Sequence, residues 1–378
     1  MIINNRGKKP DKITVMKLWA QSGGRCQFAG CNRRLYKDDL TWDEFNNSNV
    51  AHIVASSPDG PRGSEYSYEL SDKLDNLMLL CPICHKIIDN DPNKYTVDIL
   101  RQMKMEQERK VQETLDSMNY PESEIVILES PIKGKISAHV DSKLAADALR
   151  SVKKRPASKT PTIISLESTE NYSSREYWNS LTKALEVAVQ RNIVNVLRLY
   201  PDLQFSIFPL APIPLIAKLG EMLGDKHEIN VFQKTRVPDT WRWQSNAKEN
   251  SFDVTRTIDE SGDPQRVAIV LSLTTELAPN RIKAIHNYGI VYSIRANHRG
   301  VNCISSEADL KDFWLSYQHV CDSVKNIDEV DVADVFPAVP VSAAFEIGHR
   351  YMPQVYPVLH IYDEDGDFFD ALTIGDRK

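Results

Sequence analysis

Two cysteine pairs are the residues of this sequence best suited to binding a metal ion. Cys81 and Cys84 are separated by two residues and run directly into His85, while Cys26 and Cys31 form an earlier pair. Two thiolates at such spacing reach one zinc ion, and a tetrahedral site needs four ligands. The spacing therefore predicts a structural Zn²⁺ site made by all four cysteines.

Two histidines and an asparagine lie along the same stretch. His52 has apolar neighbours typical of an inward-facing strand, Asn76 precedes the apolar run 77–80, and His85 follows the second cysteine pair. The order His52, Asn76, His85 in a four-cysteine frame resembles the HNH endonucleases. The resemblance covers about the first third of the chain. It implies an α+β module in which a two-stranded ribbon and a helix wrap a metal (ββα-metal).

The resemblance implies a role for each residue. His52 corresponds to the general base that takes a proton from water, a task that suits imidazole because it titrates near neutral pH. Asn76 orients His52 or helps to hold the metal, since a side-chain amide both donates and accepts hydrogen bonds. His85 is a ligand of a catalytic divalent cation such as Mg²⁺, which stabilises the phosphoryl charge and the departing oxygen.

The motif does not identify a second protein ligand for the catalytic cation. Many HNH enzymes have an acid or a histidine directly before the general base, where this sequence has Ala51. Three acidic residues near the motif are candidates: Asp75, Asp89 and Asp91.

A purely structural zinc module is the alternative interpretation of this region. In that case the thiolates staple a small domain, and His52 is a core histidine. The paired cysteines fit both interpretations, whereas the positions of His52 and Asn76 favour catalysis.

The composition places the chain among globular proteins. It has 378 residues, 42% of them hydrophobic and 26% charged, which is typical of a protein with two or three domains. No apolar run approaches the roughly 18 to 20 residues that cross a bilayer. The N-terminal stretch lacks a signal-peptide core. We therefore expect a cytoplasmic protein with no membrane segment, whose reduced thiols bind metal.

The charge distribution argues against a generally basic nucleic-acid-binding protein, because the net charge is −6. Residues 1–120 contain 17 Lys and Arg against 17 Asp and Glu, so the candidate nuclease is neutral. Contact with DNA then requires local clusters or several copies acting together. One cluster near the N-terminus comprises Arg6, Lys8, Lys9, Lys12 and Lys17.

The sequence divides into three parts. Residues 1–120 form the candidate HNH domain and end in a long predicted helix over 94–118, which lacks Gly and Pro. Residues 121–160 are predicted to be a connector, with one strand-like run at 125–128 and a linker-like KKRPASKTP. Residues 161–378 form a second domain.

Apolar, strand-like runs alternate with amphipathic helical stretches in the second domain, which is typical of an α/β fold. The runs are 163–166, 205–208, 229–232, 268–273, 290–294, 332–336 and 358–362.

An internal repeat divides this domain into two halves. FPLAPIPLIAKLG at 208–220 aligns without gaps with FPAVPVSAAFEIG at 336–348 and shares Phe, Pro, Pro and Gly at four of thirteen positions. Upstream, IISLEST and VLSLTTE are also alike. We infer two Rossmann-like halves, each with a strand that ends at Phe-Pro and turns into a helix. In such units ligands gather at the carboxyl ends of strands, where helix N-termini present N–H groups to phosphates.

The FP-x-x-P turns, the VFQKTR strand end and the terminal FEIGHRYMPQVYPVLHIYD resemble the SAVED domains, sensors with two CARF-like halves that are fused to effector enzymes in bacterial CBASS antiphage defence. The resemblance covers about 160–378. It implies a cyclic di- or trinucleotide messenger made by a partner nucleotidyltransferase (CD-NTase). Messenger binding then assembles the chains into a homo-oligomer and switches on the nuclease.

Seven residues are candidate contacts to the messenger. Lys234 and Arg236 follow the run 229–232 and suit phosphates, while Trp241 and Trp243 suit stacking on a base. The tryptophans also fit a core, and the basic pair also fits a solvated surface. The remaining candidates are Thr275, Arg350 and Tyr351.

The combined patterns favour a messenger-activated, metal-dependent endonuclease that cleaves double-stranded DNA. We expect little sequence preference, because no obvious DNA-reading element accompanies the HNH module. Two other functions also fit the sequence. One is a modification-dependent HNH restriction endonuclease, and the other is a non-catalytic, zinc-containing regulator that binds nucleotide and DNA.

Overall fold

The chain forms two units, which span Met1–Asn119 and Tyr120–Lys378. The computed structural model describes residues 7–244 and 249–375, so Arg6 of the predicted basic cluster lies outside the described residues. Across these two ranges, no helix combines the length and the apolar character needed to cross a membrane.

A two-stranded antiparallel ribbon and the helix after it form the centre of the first unit. The ribbon pairs His52 with Leu77 at one end and Asn49 with Leu80 at the other. Asp11 caps the first helix by accepting from Thr14 N at 2.6 Å, as an N-cap aspartate does. The elements are α1 (Lys12–Ser22), β1 (Asn49–His52), α2 (Ser67–Leu70), β2 (Leu77–Leu80), α3 (Pro82–Asn90) and α4 (Val97–Asp116).

The core of this unit forms around β2, in which all four residues are buried. Leu18 of α1, Ile88 of α3 and Leu100 of α4 contribute to the same cluster. Gln27 is also fully buried, and its side chain accepts from Leu79 N at 2.7 Å and donates to Glu108 at 2.9 Å. This amide satisfies buried polar groups of β2 and α4 at once.

The first half of the second unit is a sheet whose strand pairs are all parallel, together with helices. Its strand order is β4-β3-β6-β7, and β5 also pairs with β3. The elements are β3 (Glu122–Glu129), α5 (Ser142–Ser151), β4 (Arg155–Pro156), β5 (Thr162–Ser165), α6 (Arg175–Val189), α7 (Asn195–Leu199), β6 (Gln204–Leu210), α8 (Ile213–Leu223) and β7 (Ile229–Val231).

The second half is a six-stranded mixed sheet of order β13-β12-β11-β9-β10-β8. Its four inner strands, β12, β11, β9 and β10, are parallel, and the edge strands β13 and β8 are antiparallel to their neighbours. The elements are β8 (Phe252–Ile258), β9 (Asp263–Ser272), α9 (Pro279–Lys283), β10 (Tyr288–Ala296), α10 (Glu307–Asn326), β11 (Val332–Ala338), α11 (Val341–His349), β12 (Val358–Asp365) and β13 (Asp367–Ile374).

The two halves repeat one topology, as the sequence predicts. In each half a strand with Phe-Pro leads into a helix, β6 into α8 and β11 into α11, with Pro212 and Pro340 at the helix N-caps. The repeated glycines lie where the two helices meet. A Cβ atom on Gly220 would approach His349 N to 2.7 Å, and one on Gly348 would approach Glu221 N to 2.7 Å. The repeat therefore encodes a close helix crossing between the halves.

The structure differs from the predicted connector at 121–160. These residues contain α5 and β3, and β3 runs parallel to β6 in the centre of the first half. The second unit accordingly begins at Tyr120 rather than at residue 161. The topology also makes β3, not the IISLEST strand β5, the counterpart of β9, because β3 and β9 each lie beside the Phe-Pro strand. Within KKRPASKTP, Lys153 lies in a turn and Arg155 and Pro156 form the short strand β4, so this stretch is partly built into the sheet rather than being a linker.

Candidate functional site

Four cysteines of the first unit converge on one point. The sulfur atoms of Cys26, Cys31, Cys81 and Cys84 all lie within 4.8 Å of one another. A tetrahedral zinc ion at about 2.3 Å from each ligand places the sulfurs about 3.8 Å apart. The cluster therefore has a size and composition compatible with zinc.

Local structure directs the thiols to this point. Cys81 is the N-cap of α3, and its sulfur accepts from Cys84 N at 3.4 Å. Cys26 Sγ accepts from Cys81 N at 3.3 Å. Burial raises the pKa of Cys26 to about 12, and burial also raises the pKa of Cys84. Without a cation these two thiols stay protonated at neutral pH, and a thiolate-binding metal would displace their protons.

His52 lies at the end of β1 and is held by a backbone carbonyl. Its Nε2 is 3.0 Å from the carbonyl oxygen of Ser71. Because a carbonyl oxygen only accepts, Nε2 carries the proton, and neutral His52 keeps its lone pair on Nδ1. Nδ1 is therefore the basic atom.

Asn76 is buried and fixes the backbone around His52. Its Oδ1 accepts from Val54 N at 2.8 Å, and its Nδ2 donates to Val54 O at 2.9 Å and to Leu70 O at 3.1 Å. Val54 follows His52 by two residues, and Leu70 precedes Ser71. Asn76 thus holds both the strand that carries His52 and the segment that carries its carbonyl partner.

His85 and Asp89 lie one turn apart on α3. Nε2 of His85 is 3.3 Å from Oδ2 of Asp89, and both side chains are about one-third exposed, at 35% and 38%. Among the three acidic candidates, Asp75 and Asp91 are exposed, and Asp91 accepts from Lys94 N at 3.1 Å. The structure thus pairs Asp89 with the histidine of the motif.

The surroundings of His52 keep its imidazole neutral. Burial lowers the pKa of His52 from its ordinary value of 6.5, and the charge of His85 lowers it further. The Ser71 carbonyl and the Asp89 carboxylate act in the opposite direction but do not outweigh burial. His52 is therefore neutral at pH 7 and able to accept a proton.

In the second unit, strand carboxyl ends of the two halves meet at the start of α11. Gln233 follows β7, and its Oε1 accepts from Ser342 N at 3.1 Å and Ser342 Oγ at 2.7 Å. Thr274, just after β9, donates its N–H to Ala338 O at 2.8 Å. This is the location at which α/β units bind ligands.

Lys234 lies beside this location. It follows Gln233, forms an ion pair with Asp239, and places its ammonium 5.5 Å from the centre of the Trp241 ring. Trp241 is fully buried and packs edge-on against Phe208. Its ring faces are covered by protein, so it is a core residue here rather than a stacking surface. Arg236 is exposed in the turn between them.

Trp243 and Arg350 lie in a different place from Lys234. Both line a cavity of about 340 Å³ with Trp314 and Asn230. The Arg350 guanidinium is 5.0 Å from the centre of the Trp314 ring and donates to Glu346 at 3.0 Å. The predicted contacts therefore divide between the strand ends and this cavity.

The last two candidate contacts are placed separately. Thr275 is exposed in the loop after β9, close to the strand ends. Tyr351 follows α11 and packs edge-on against Tyr356, with ring centres 6.1 Å apart.

Two residues of the first-unit site were not predicted from the sequence. Ser71 holds His52 through its carbonyl, and Arg62 donates to Asp89 at 2.9 Å. Both act across loops whose course the sequence does not specify. The sequence could have favoured Asp89 over Asp75 and Asp91, because Asp89 lies four residues after His85 and residues four apart on a helix share a face.

The comparisons with known proteins bear on the second unit. Residues 185–374 match the family model for SAVED, described as the SMODS-associated and fused to various effectors sensor domain. This range is half of the chain. A search of the curated proteins gave no match.

Several solved structures also resemble the chain. An Acinetobacter baumannii Cap4 SAVED/CARF-domain containing receptor with the cyclic trinucleotide 3'3'3'-cAAA has a TM-score of 0.46 at 11% identity, over 76% of this chain and 61% of that one. The same receptor with 2'3'3'-cAAA gives 0.42 and 12%, over 82% and 66%. The Moraxella osloensis receptor gives 0.37 and 10%, over 77% and 60%. The chain thus spans less than two thirds of the length of these receptors.

Proposed function

The chain belongs to the SAVED family of sensor domains, and from this premise we propose that it is a CBASS effector nuclease. In this proposal a cyclic di- or trinucleotide made by a CD-NTase binds the second unit. Binding assembles several chains, and the first unit then cleaves double-stranded DNA with the help of a divalent cation. The neutral charge of the first unit supports the need for assembly, since several copies add their weak basic patches together.

One arrangement carries the nuclease proposal. His52 ends a strand of the ribbon, the His85 and Asp89 pair lies on the helix that follows, and Arg62 joins the two by donating to Ile53 O, next to His52, and to Asp89. A core histidine needs no such neighbours. A neutral imidazole beside a histidine–carboxylate pair is what a metal-assisted hydrolase requires.

His85 and Asp89 fit a divalent cation such as Mg²⁺. Octahedral ligands at about 2.1 Å from a cation lie about 3 Å from each other. Nε2 of His85 and Oδ2 of Asp89 are 3.3 Å apart, close to that spacing. We therefore select Asp89 from the three acidic candidates as the second protein ligand. The cation, when bound, stabilises the charge of the phosphoryl group and the departing oxygen.

The other side chains of this site remove a proton from water and hold the base in position. His52 Nδ1 removes a proton from the attacking water, while the Ser71 carbonyl keeps the other ring proton on Nε2. Asn76 keeps His52 and Ser71 in register through the backbone and is not itself a ligand, because its amide is engaged with Val54 and Leu70. Zinc, held by the four cysteines, is structural.

The messenger site is proposed at the strand carboxyl ends of the second unit. Lys234 supplies positive charge beside the start of α11, where Gln233 and Ser342 join the strand ends of the two halves. Arg236 and Thr275 are exposed near the same strand ends. Phosphate groups are stabilised by such donors.

Substitution of His52 separates the nuclease from a non-catalytic zinc regulator. We expect His52→Ala to reduce DNA cleavage about 10²- to 10⁴-fold, the usual contribution of a general base, with zinc content and messenger binding unchanged. His319→Ala, on an exposed position of α10, is the matched control and should cleave like wild type. Undiminished cleavage by His52→Ala would remove the proposed mechanism.

A further inference from the structure

A buried arginine links the two parts of the proposed nuclease site. The Arg62 side chain is only 4% exposed. Its Nε donates to Ile53 O at 2.8 Å, its Nη1 to Ile88 O at 2.6 Å, and its Nη2 to Asp89 Oδ1 at 2.9 Å. The guanidinium therefore holds three partners at once through its rigid fork.

The identity of these partners connects the base to the cation ligands. Ile53 directly follows His52, the last residue of β1, and Ile88 directly precedes Asp89 on α3. One side chain thus fixes the end of the strand that carries the base and the turn of the helix that carries the carboxylate.

Arg62 also orients the carboxylate itself. It contacts Oδ1 of Asp89, whereas Oδ2 of Asp89 faces His85 Nε2 at 3.3 Å. The carboxylate is thereby turned so that Oδ1 is bonded to Arg62 and Oδ2 faces His85, the pair of ligands that would hold the cation. A carboxylate left to rotate would lose that preorganised direction.

The loop that carries Arg62 has a constrained backbone conformation. Arg62 has a φ of 58°, in the left-handed region that residues other than glycine seldom adopt. Two successive turns form the loop: Gly60 N donates to Ser57 O at 3.1 Å, and Gly63 N donates to Gly60 O at 2.9 Å across the turn that contains Arg62. A Cβ on Gly63 would lie 2.6 Å from the carbonyl carbon of Pro58, so only glycine fits there. Such strain persists where surrounding contacts fix the conformation, and it is common at functional sites.

We propose that Arg62 is a positioning residue of the nuclease, which orients Asp89 toward the divalent cation and sets the spacing between that cation and His52. This inference rests on the proposed function. Removing a side chain that orients a metal ligand typically weakens metal binding or activity about 10- to 100-fold. Arg62→Gln should therefore weaken Mn²⁺ binding by about that factor, and Arg62→Lys should fall between Arg62→Gln and wild type.

The experiment measures Mn²⁺ binding to the full chain by electron paramagnetic resonance, together with zinc content and DNA cleavage. Asp89→Asn and His85→Ala establish that the bound Mn²⁺ occupies the proposed site. Arg34→Gln is the matched control, because Arg34 forms a surface ion pair with Asp39 at 3.2 Å. Glu108→Gln disturbs the buried pair with Lys104 and reports the effect of destabilisation without a change at the cation ligands.

The outcomes separate the inference from the proposed function. Weaker Mn²⁺ binding in Arg62→Gln at normal zinc content, with Mn²⁺ binding unchanged in Arg34→Gln and Glu108→Gln, supports the positioning role. Wild-type Mn²⁺ affinity and cleavage in Arg62→Gln would overturn it while leaving the nuclease intact. If the Mn²⁺ affinity were the same in Asp89→Asn and His85→Ala as in wild type, the proposed cation site itself would be refuted. An equal loss of Mn²⁺ affinity in Arg62→Gln and Glu108→Gln would show that Arg62 acts only through the stability of the first unit, which would overturn the positioning role.

Discussion

At the scale of single residues, the protonation of His52 governs the pH dependence of the proposed reaction. Burial lowers the pKa of His52 below 6.5, so its basic form already predominates under mildly acidic conditions. A bound cation acts in the same direction, because it repels the protonated form.

The first prediction is therefore a pH–rate profile. The cleavage rate should rise with pH, reach its half-maximum below 6.5 and stay level above neutrality, since only neutral imidazole accepts a proton. The measurement is the cleavage rate at saturating cation across pH 5 to 8. His52→Ala should lose this acidic limb, and a half-maximum above pH 7 would contradict the assignment of His52 as the base.

Asn76 provides a second test at this scale. Asn76→Ala leaves backbone groups of buried Val54 and half-buried Leu70 without their partners, and loss of a buried partner costs about 1 to 3 kcal/mol. We expect a lower urea midpoint for the first unit and slower cleavage in the fraction that stays folded. The exposed Asn46→Ala is the control. Unchanged stability and rate in Asn76→Ala would show that its hydrogen bonds do not position His52.

At the scale of elements, the crossing of α8 and α11 depends on two glycines. A methyl group on Gly348 would meet Ala217 O and Glu221 N, and a methyl group on Gly220 would meet backbone of α11. Neither neighbour is a flexible side-chain tip that can move aside.

We predict that Gly348→Ala destabilises the second unit by about 1 to 3 kcal/mol, the usual cost of overpacking. The readout is the free energy of unfolding from urea titration. Gly220→Ala should have a similar effect, and the double variant should be non-additive because both methyl groups disturb one crossing. Val187→Ala, at an exposed site on α6, should be neutral. A neutral Gly348→Ala would mean that the halves are free to move apart at this crossing.

The start of α10 supplies a prediction for stability against pH. Asp309 is 1% exposed and accepts from Asn250 N at 2.9 Å and Ser305 N at 3.0 Å. Burial opposes its ionisation, but these N–H donors outweigh burial and lower the pKa of Asp309. Since the folded pKa is depressed, the stabilisation is present at neutral pH and is lost as the pH falls through the lowered value.

Asp309→Asn should therefore cost about 1 to 3 kcal/mol at pH 7, because the amide cannot satisfy all these donors. The difference from wild type should shrink below about pH 4, where the unfolded aspartate is protonated. Urea midpoints of both proteins at pH 7 and pH 3.5 check this. A difference that grows with acidity would contradict the sign.

The elements also show what local sequence patterns predict. All seven apolar runs of the second domain overlap strands, and the helix expected at 94–118 is α4 (Val97–Asp116). The role of β3 was missed, because its partner β6 lies about 80 residues later and only long-range pairing makes 121–160 part of the sheet. Arg62 was missed for the same reason, since its partners lie just after β1 and in α3. Burial of Trp241 against Phe208 likewise depends on tertiary packing.

At the scale of the whole molecule, the proposed function joins a sensor to a nuclease. The family match shows a SAVED domain, and the first unit contains a four-cysteine cluster and the histidine–carboxylate pair. The proposal requires that occupancy of the second unit control chemistry in the first. A ligand achieves such control only if it binds the active, assembled state better than the resting one.

The most direct test is plasmid degradation by the purified chain with Mg²⁺, without ligand and with a panel of cyclic di- and trinucleotides that includes 3'3'3'-cAAA and 2'3'3'-cAAA. We predict degradation only with a particular messenger, and none by His52→Ala under the same conditions. Degradation without any messenger would contradict the gated sensor. No degradation under any condition would contradict the nuclease and favour a non-catalytic regulator.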